Sequence, residues 1–174
     1  NRRGEVGGRV VIGLPPSVSR KLTGPLVKAF RERMPNATPS VVEGLSTYVL
    51  EWLTIGRVDC AVVYNVTPSP AIDLQPVLDE TLYLVSARAA PGQGRLVGAT
   101  IALADVARHE LVIPSQPHSV RMLLESALAA EGVKPRIGLE IESVPAILEL
   151  VQHEGLHAVL ALGAIQSSGN AAAF

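Results

Sequence analysis

Apolar positions along the chain fall into short runs of two kinds, β-rich stretches and stretches at helical spacing. Arg9-Val10-Val11-Ile12-Gly13-Leu14 is a β-rich run closed by Pro15-Pro16, which end a strand. Ser17 and Ser19 follow, both able to cap a helix. Thr23-Gly24-Pro25 precedes Leu26, Val27, Ala29 and Phe30, which predict a helix with Pro25 at or near its first turn and Pro35 beyond its end. Thr38 to Val42 reads as a second strand. Ser46 stands where it can cap a second helix, with Val49, Leu50 and Leu53 as its apolar stripe and Gly56 just past its end. Asp59 to Tyr64 reads as a third strand, and its continuous apolar run implies cover on both faces, as in parallel sheets. The first 64 residues thus predict β-α-β-α-β.

A loop with Pro68, Pro70 and Pro76 leads to a strand over Thr81–Val85, and Ala90-Pro91-Gly92-Gln93-Gly94 reads as a flexible connector. Leu103 to Ala107 predicts a short helix and Leu111–Ile113 a strand ended by Pro114. A helix beginning near Ser119 runs through Leu123, Leu124, Ala127 and Leu128 and stops at Gly132. Arg136–Ile141 predicts a strand, Val144–Gln152 a helix, and His157–Leu162 a strand. The second half repeats the order of the first, with no repeat at the level of sequence. Strands alternating with helices of about ten residues imply an α/β fold of parallel sheets flanked by helices. Two such lobes joined by extended segments form a cleft at the carboxyl ends of their strands, where open α/β sheets bind ligands.

Composition narrows the picture. An apolar fraction of 48% in 174 residues is enough for a real core and argues against disorder. The net charge of −1 gives no basic footprint, so any contact with DNA belongs to another part of the polypeptide. Cys60 is the single cysteine, which precludes an internal disulfide and fits a reducing, cytoplasmic setting; its apolar neighbours mark it as a small buried residue. The longest apolar runs fall far short of the ~20 residues of a membrane helix. Asn1 to Gly8 is polar and Gly-rich with no apolar signal core, and reads as a linker from something upstream.

Candidate chemistry lies at the helix starts, where free N–H groups and partial positive charge favour anions. Strand-to-helix turns carry Ser17 with Ser19, Ser46 with Thr47, and Ser143; a fourth carries Ser115, Gln116, His118 and Ser119. Pro16 and Pro145 shape two of these turns. The competing reading is that the serines only cap their helices, each contributing about 1 kcal/mol. Arg121 is either a fork for a ligand carboxylate or phosphate or a solvated surface arginine. Tyr48 and Trp52, four apart on one helix, read as core or interface. His153-Glu154-Gly155-Leu156-His157 matches a zinc-protease pattern that needs both histidines on one helix. Gly155 falls where the helix is expected to end, so His157 leaves it and no metal is expected. Nucleophile elbows, dinucleotide fingerprints and phosphate loops find no match, so neither an enzyme nor a cofactor is expected.

Several segments together resemble the effector-binding domain of LysR-type transcriptional regulators. They are Gly8 to Ser17; Leu26-Val27-Lys28-Ala29-Phe30-Arg31-Glu32-Arg33-Met34-Pro35; Glu43-Gly44-Leu45-Ser46 with Leu53 to Val62; and Ile147 to Val151 through Gly155 to Ala164. The match runs over about residues 8–170. It implies two Rossmann-like lobes hinged by crossover strands, as in periplasmic binding proteins, with residues 1–8 as linker, 9–86 as the first lobe and 87–170 as the second. It also implies a small-molecule effector in the cleft, with Ser17, Ser46, His118 and Ser143 at the positions that line it. The hydroxyls with one arginine and one histidine favour a small polar anion. Such regulators carry an upstream winged helix-turn-helix that contacts DNA. Their effector domains dimerise, within a tetramer at full length, by packing a first-lobe helix against a second-lobe helix of the partner. Here those are the helices around Leu26–Arg33 and Met122–Ala129. The family pattern normally continues some thirty residues further, returning to the first lobe. A solute-binding protein of a transporter shares the two-lobed architecture and is the alternative.

Overall fold

The computed structural model describes residues 7–89 and 96–174. The expected connector Ala90–Gly94 lies outside these residues, as does the expected linker apart from Gly7 and Gly8. The described residues form two compact units, divided between Gln75 and Pro76.

The first unit runs β1 (Gly8–Leu14), α1 (Pro16–Arg33), β2 (Ala37–Glu43), α2 (Ser46–Thr54), β3 (Cys60–Ala61). Its sheet has the order β2-β1-β3 with every pairing parallel, as the alternation of elements requires. Ile12, Leu14, Ala37, Val49 and Val58 form its buried core. Gly13 lets α2 approach β1: a Cβ there would stand 2.6 Å from Val49 Cγ1.

Three expectations need correction. Helix α1 begins at Pro16, not after Gly24, so Pro25 sits inside it. Pro16 takes the first helical position, where a missing N–H costs nothing, and Pro25 removes one ladder bond at an exposed site. Strand β3 is only two residues long instead of running to Tyr64. Asp59 and Val62 still bond to β1, through Asp59 N–H to Val11 O (2.8 Å) and Val62 N–H to Gly13 O (3.0 Å). The Tyr64 N–H then leaves the ladder for Ser46 Oγ at 2.9 Å, and Asn65 turns the chain with φ 50°. Cys60 is exposed instead of buried, and local burial with the Asp59 charge pushes its thiol up.

The second unit runs β4 (Leu82–Val85), α3 (Leu103–Val106), β5 (Glu110–Ile113), α4 (Ser119–Ala130), β6 (Arg136–Glu140), α5 (Val144–Glu154), β7 (Ala158–Ala161) and α6 (Leu162–Gln166), followed by a 3-10 turn at Ala171–Ala173. Strands β5 and β6 pair in parallel, β4 and β7 antiparallel, and a parallel bridge from Leu111 to His157 joins the two ladders. The antiparallel pair departs from the all-parallel expectation. Side chains alternate across these strands. Leu111, Ile113 and Val159 pack with Leu124 and Leu128 of α4, while Val112, Ala158 and Leu160 pack with Ile147, Leu148 and Val151 of α5. Both faces are covered, which explains the unbroken apolar runs in β5 and β7.

Candidate functional site

In the first unit the carboxyl ends of all three strands come together. Strand β1 leads through Pro15 into α1, β2 leads through Gly44-Leu45 into α2, and the segment after β3 carries Tyr64. The residues before the helices, Pro15 and Leu45, have extended backbone and give no side-chain cap. In α2 the first helical bond is Val49 N–H to Leu45 O at 3.0 Å, so the N–H groups of Ser46, Thr47 and Tyr48 precede it. Ser17 Oγ lies 3.3 Å from the Tyr64 hydroxyl, and Ser46 Oγ accepts the Tyr64 N–H. Tyr64 thus links both serines beside two uncapped helix starts, meeting Ser17 through its hydroxyl and Ser46 through its backbone N–H.

Pro16 opens α1 next to these residues, and Thr47 is exposed beside Ser46. Ser19 does not join them, because Ser19 is buried with its Oγ 3.0 Å from Thr23 Oγ1. Hydroxyls and helix N–H groups present donors without a fixed charge, a set that suits a carboxylate or another small anion. Tyr64 was not among the residues singled out from the sequence. Its signal is its place at the end of a strand run, where ligands of open α/β sheets sit.

The second unit has an equivalent edge, where β5 and β6 end. His118 caps α4: its Nδ1 accepts the Val120 N–H at 3.3 Å. That bond requires an unprotonated Nδ1 and leaves the ring's other nitrogen to donate. Burial pushes the His118 pKa down, with the Glu142 charge pulling the other way. Ser119 opens α4, half-buried. Ser143 precedes α5, exposed and without a side-chain cap bond.

Arg121 is not a solvated surface residue: it is 7% exposed. Its guanidinium bonds Glu125 at 2.5 Å, Glu140 at 2.8 Å and Pro114 O at 3.3 Å. The fork is therefore filled by the protein's own carboxylates, which a ligand anion would have to displace. The Arg121 hydrogen bond holds the Glu125 carboxyl below its ordinary range against the opposing effect of burial; Gln116 adds a bond at 2.7 Å.

Other residues fall as follows. The capping-only reading fails at Ser17, Ser46 and Ser143, since α1, α2 and α5 have no side-chain cap bond. His153 sits in the last turn of α5, Gly155 ends that helix with φ 67°, and His157 joins β5 instead. Among the described residues no group of three or more His, Cys, Asp or Glu is placed to hold a metal. Tyr48 is half exposed, and Trp52 lies under the Arg57 guanidinium, 4.5 Å from the ring centre.

Comparison with known proteins bears on this arrangement. The model of the LysR substrate binding domain matches residues 3–172. The nitrogen assimilation regulatory protein nac of Klebsiella aerogenes is 33% identical over 138 residues, which cover 79% of this chain and 43% of that protein. The chain thus spans less than half the length of this relative. Among solved structures, the CcmR regulatory domain of Synechocystis PCC6803 in complex with 2-PG superposes with TM-score 0.75 at 20% identity, covering 95% of this chain and 78% of that one. Full-length CbnR complexed with its target DNA gives TM-score 0.65 at 23% identity, covering 91% of this chain and 53% of that one. The structural likenesses establish the fold, a two-lobed α/β architecture of the periplasmic-binding-protein type.

Proposed function

The chain belongs to the LysR substrate-binding domain family, and from that premise we propose that it is the effector-sensing and oligomerisation module of a DNA-binding transcription regulator. Its task in this reading is ligand binding without turnover, in the cytoplasm. Among the described residues no helix is long and apolar enough to cross a membrane. The curated relative reported above is a regulatory protein, which favours a regulator over a transporter's solute-binding protein. DNA contact is assigned to a segment outside this sequence, in keeping with the net charge of −1.

The observation that carries the reading is the linkage of Ser17 and Ser46 through Tyr64 beside the uncapped starts of α1 and α2. We assign this place a small polar anion. In the second unit, Ser143, Ser119 and the donor nitrogen of His118 are the further candidates. An effector acts here by binding one conformation of the module more tightly than another, which shifts the population and so the DNA contacts. Helix α1 supports oligomerisation: it spans 18 residues with Ser19 alone buried, although it carries Leu22, Leu26, Val27 and Phe30. Helix α4 likewise exposes Met122 (51%) and Leu123 (42%).

Calorimetry with a panel of small carboxylates, inorganic phosphate and sulfate tests the assignment. A binder from that panel should lose roughly tenfold or more in affinity when Ser17→Ala and Ser46→Ala are combined, as each removes a donor worth about 1 kcal/mol. Unchanged affinity in the double variant refutes the site.

A further inference from the structure

The second unit carries a histidine pair that the ligand-binding reading does not use. His109 leads into β5 and His157 into β7. Their ring centres lie 4.4 Å apart with the planes tilted by 49°. The Nδ1 atom of His157 is buried without a hydrogen-bond partner. The backbone of the same residue holds the bridge between ladders. Its N–H donates to Glu110 O at 2.9 Å, and its carbonyl accepts the Val112 N–H at 2.8 Å. Strand pair β5–β6 is joined to β7–β4 at this point.

A neutral imidazole suits this place, and an imidazolium does not. A second proton puts an N–H on a buried nitrogen that makes no hydrogen bond in the structure, an effect the Glu110 backbone offsets only in part. It also sets a positive charge against a second imidazole whose ring centre is 4.4 Å away. The charged groups on adjoining elements do not offset this. Asp105 after the start of α3 is paired with Arg108 at 3.2 Å, and Glu110 of β5 with Arg136 of β6 at 3.0 Å. His153 and Glu154 end α5, both exposed.

We propose that the His109–His157 pair is an acid-sensitive latch: protonation loosens the bridge between β5 and β7 and so weakens the second unit. Burial first, then the His109 charge, holds the His157 pKa below its ordinary value, while the Glu110 backbone opposes them. The unfolded chain therefore takes up the proton first as pH falls. Stability is full above the unfolded value of about 6.5 and declines as pH drops below it.

Ring-nitrogen NMR of the whole chain, titrated from about pH 8 to pH 5, reads the pair directly. His157 should titrate below free histidine, and His109→Asn should move it upward. In parallel, Tm should fall by up to about 3 °C between about pH 7.5 and pH 5.5. The double variant His109→Gln/His157→Gln should lose most of that fall, whereas His118→Gln, which removes the other histidine whose pKa burial lowers, should leave the pair's share in place. The proposal is overturned if His157 titrates at or above the free value, or if the double variant keeps the full pH-dependent loss. Should the double variant not fold, the wild-type titration decides alone.

Discussion

Replacing Gly44 with alanine probes how the first unit presents Ser46. Gly44 sits in the turn from β2 to α2, tied to the end of β1 by its N–H to Leu14 O at 3.1 Å. A Cβ there would stand 2.8 Å from Trp52 Cη2, 2.9 Å from Cζ3 and 3.3 Å from Val49 Cγ2. The indole is held in place by Arg57, whose guanidinium lies 4.5 Å from the ring centre and whose N–H donates to Trp52 O at 2.8 Å. Neither neighbour can give freely, because Val49 is fully buried against β1. Overpacking of this kind costs about 1–3 kcal/mol, and disturbing an exposed cation–π contact adds roughly 0.5 kcal/mol. Gly44→Ala should therefore destabilise the first unit by roughly 2 kcal/mol. Trp52 is the chain's single tryptophan, so its emission reports the affected contact itself. Urea unfolding followed by that emission should show a lower midpoint with an unchanged slope, and the native spectrum should shift. A loss under about 0.5 kcal/mol with an unaltered native spectrum would refute the packing argument.

Arg121→Met removes the buried guanidinium while keeping an apolar stem. The cost should be roughly 1–2 kcal/mol, less than for a fully buried pair because the Glu140 side chain is 50% exposed and can regain water. Glu125, held below its ordinary pKa by Arg121, contributes stability above the unfolded value of about 4.3 that is lost as pH falls through its folded value. Denaturation midpoints should thus drop below about pH 4.5 in the wild type and change less in the variant; parallel profiles would contradict the ion pair's role. Sedimentation at micromolar concentration should show a dimer that Phe30→Glu or Leu123→Glu weakens, whereas a monomeric wild-type chain would contradict the oligomerisation reading.

Much of the fold is legible in the sequence because strands such as β5 and β7 are covered on both faces, so they read as apolar runs bounded by Pro and Gly. Pro114 after β5 and the left-handed Gly132 and Gly155 after α4 and α5 mark boundaries that local chemistry alone decides. The failures arise where two local signals compete or a distant partner overrides one. Pro25 looks like a helix start, yet α1 begins nine residues earlier because Pro16 is equally suited to a first turn. Strand β3 looks six residues long, but Ser46 captures the Tyr64 N–H and ends the ladder. Of the site, the serines were visible from their turns. Tyr64 was not, since its hydroxyl meets Ser17 across 47 residues of sequence. Of the carboxylates on Arg121, Glu125 stands one turn along the same helix, whereas Glu140 was hidden for the same reason: it belongs to β6, and periodicity carries no record of which distant carboxylate faces a given guanidinium.

The account rests on the edge of the first unit being the place where a small anion is taken up. Backbone amide NMR of the chain, titrated with a binder found in the carboxylate, phosphate and sulfate panel, tests this most directly. The largest shifts should fall on the N–H groups of Ser17, Ser46 and Thr47, with Tyr64 following. Saturable binding that leaves those amides unmoved would contradict the account.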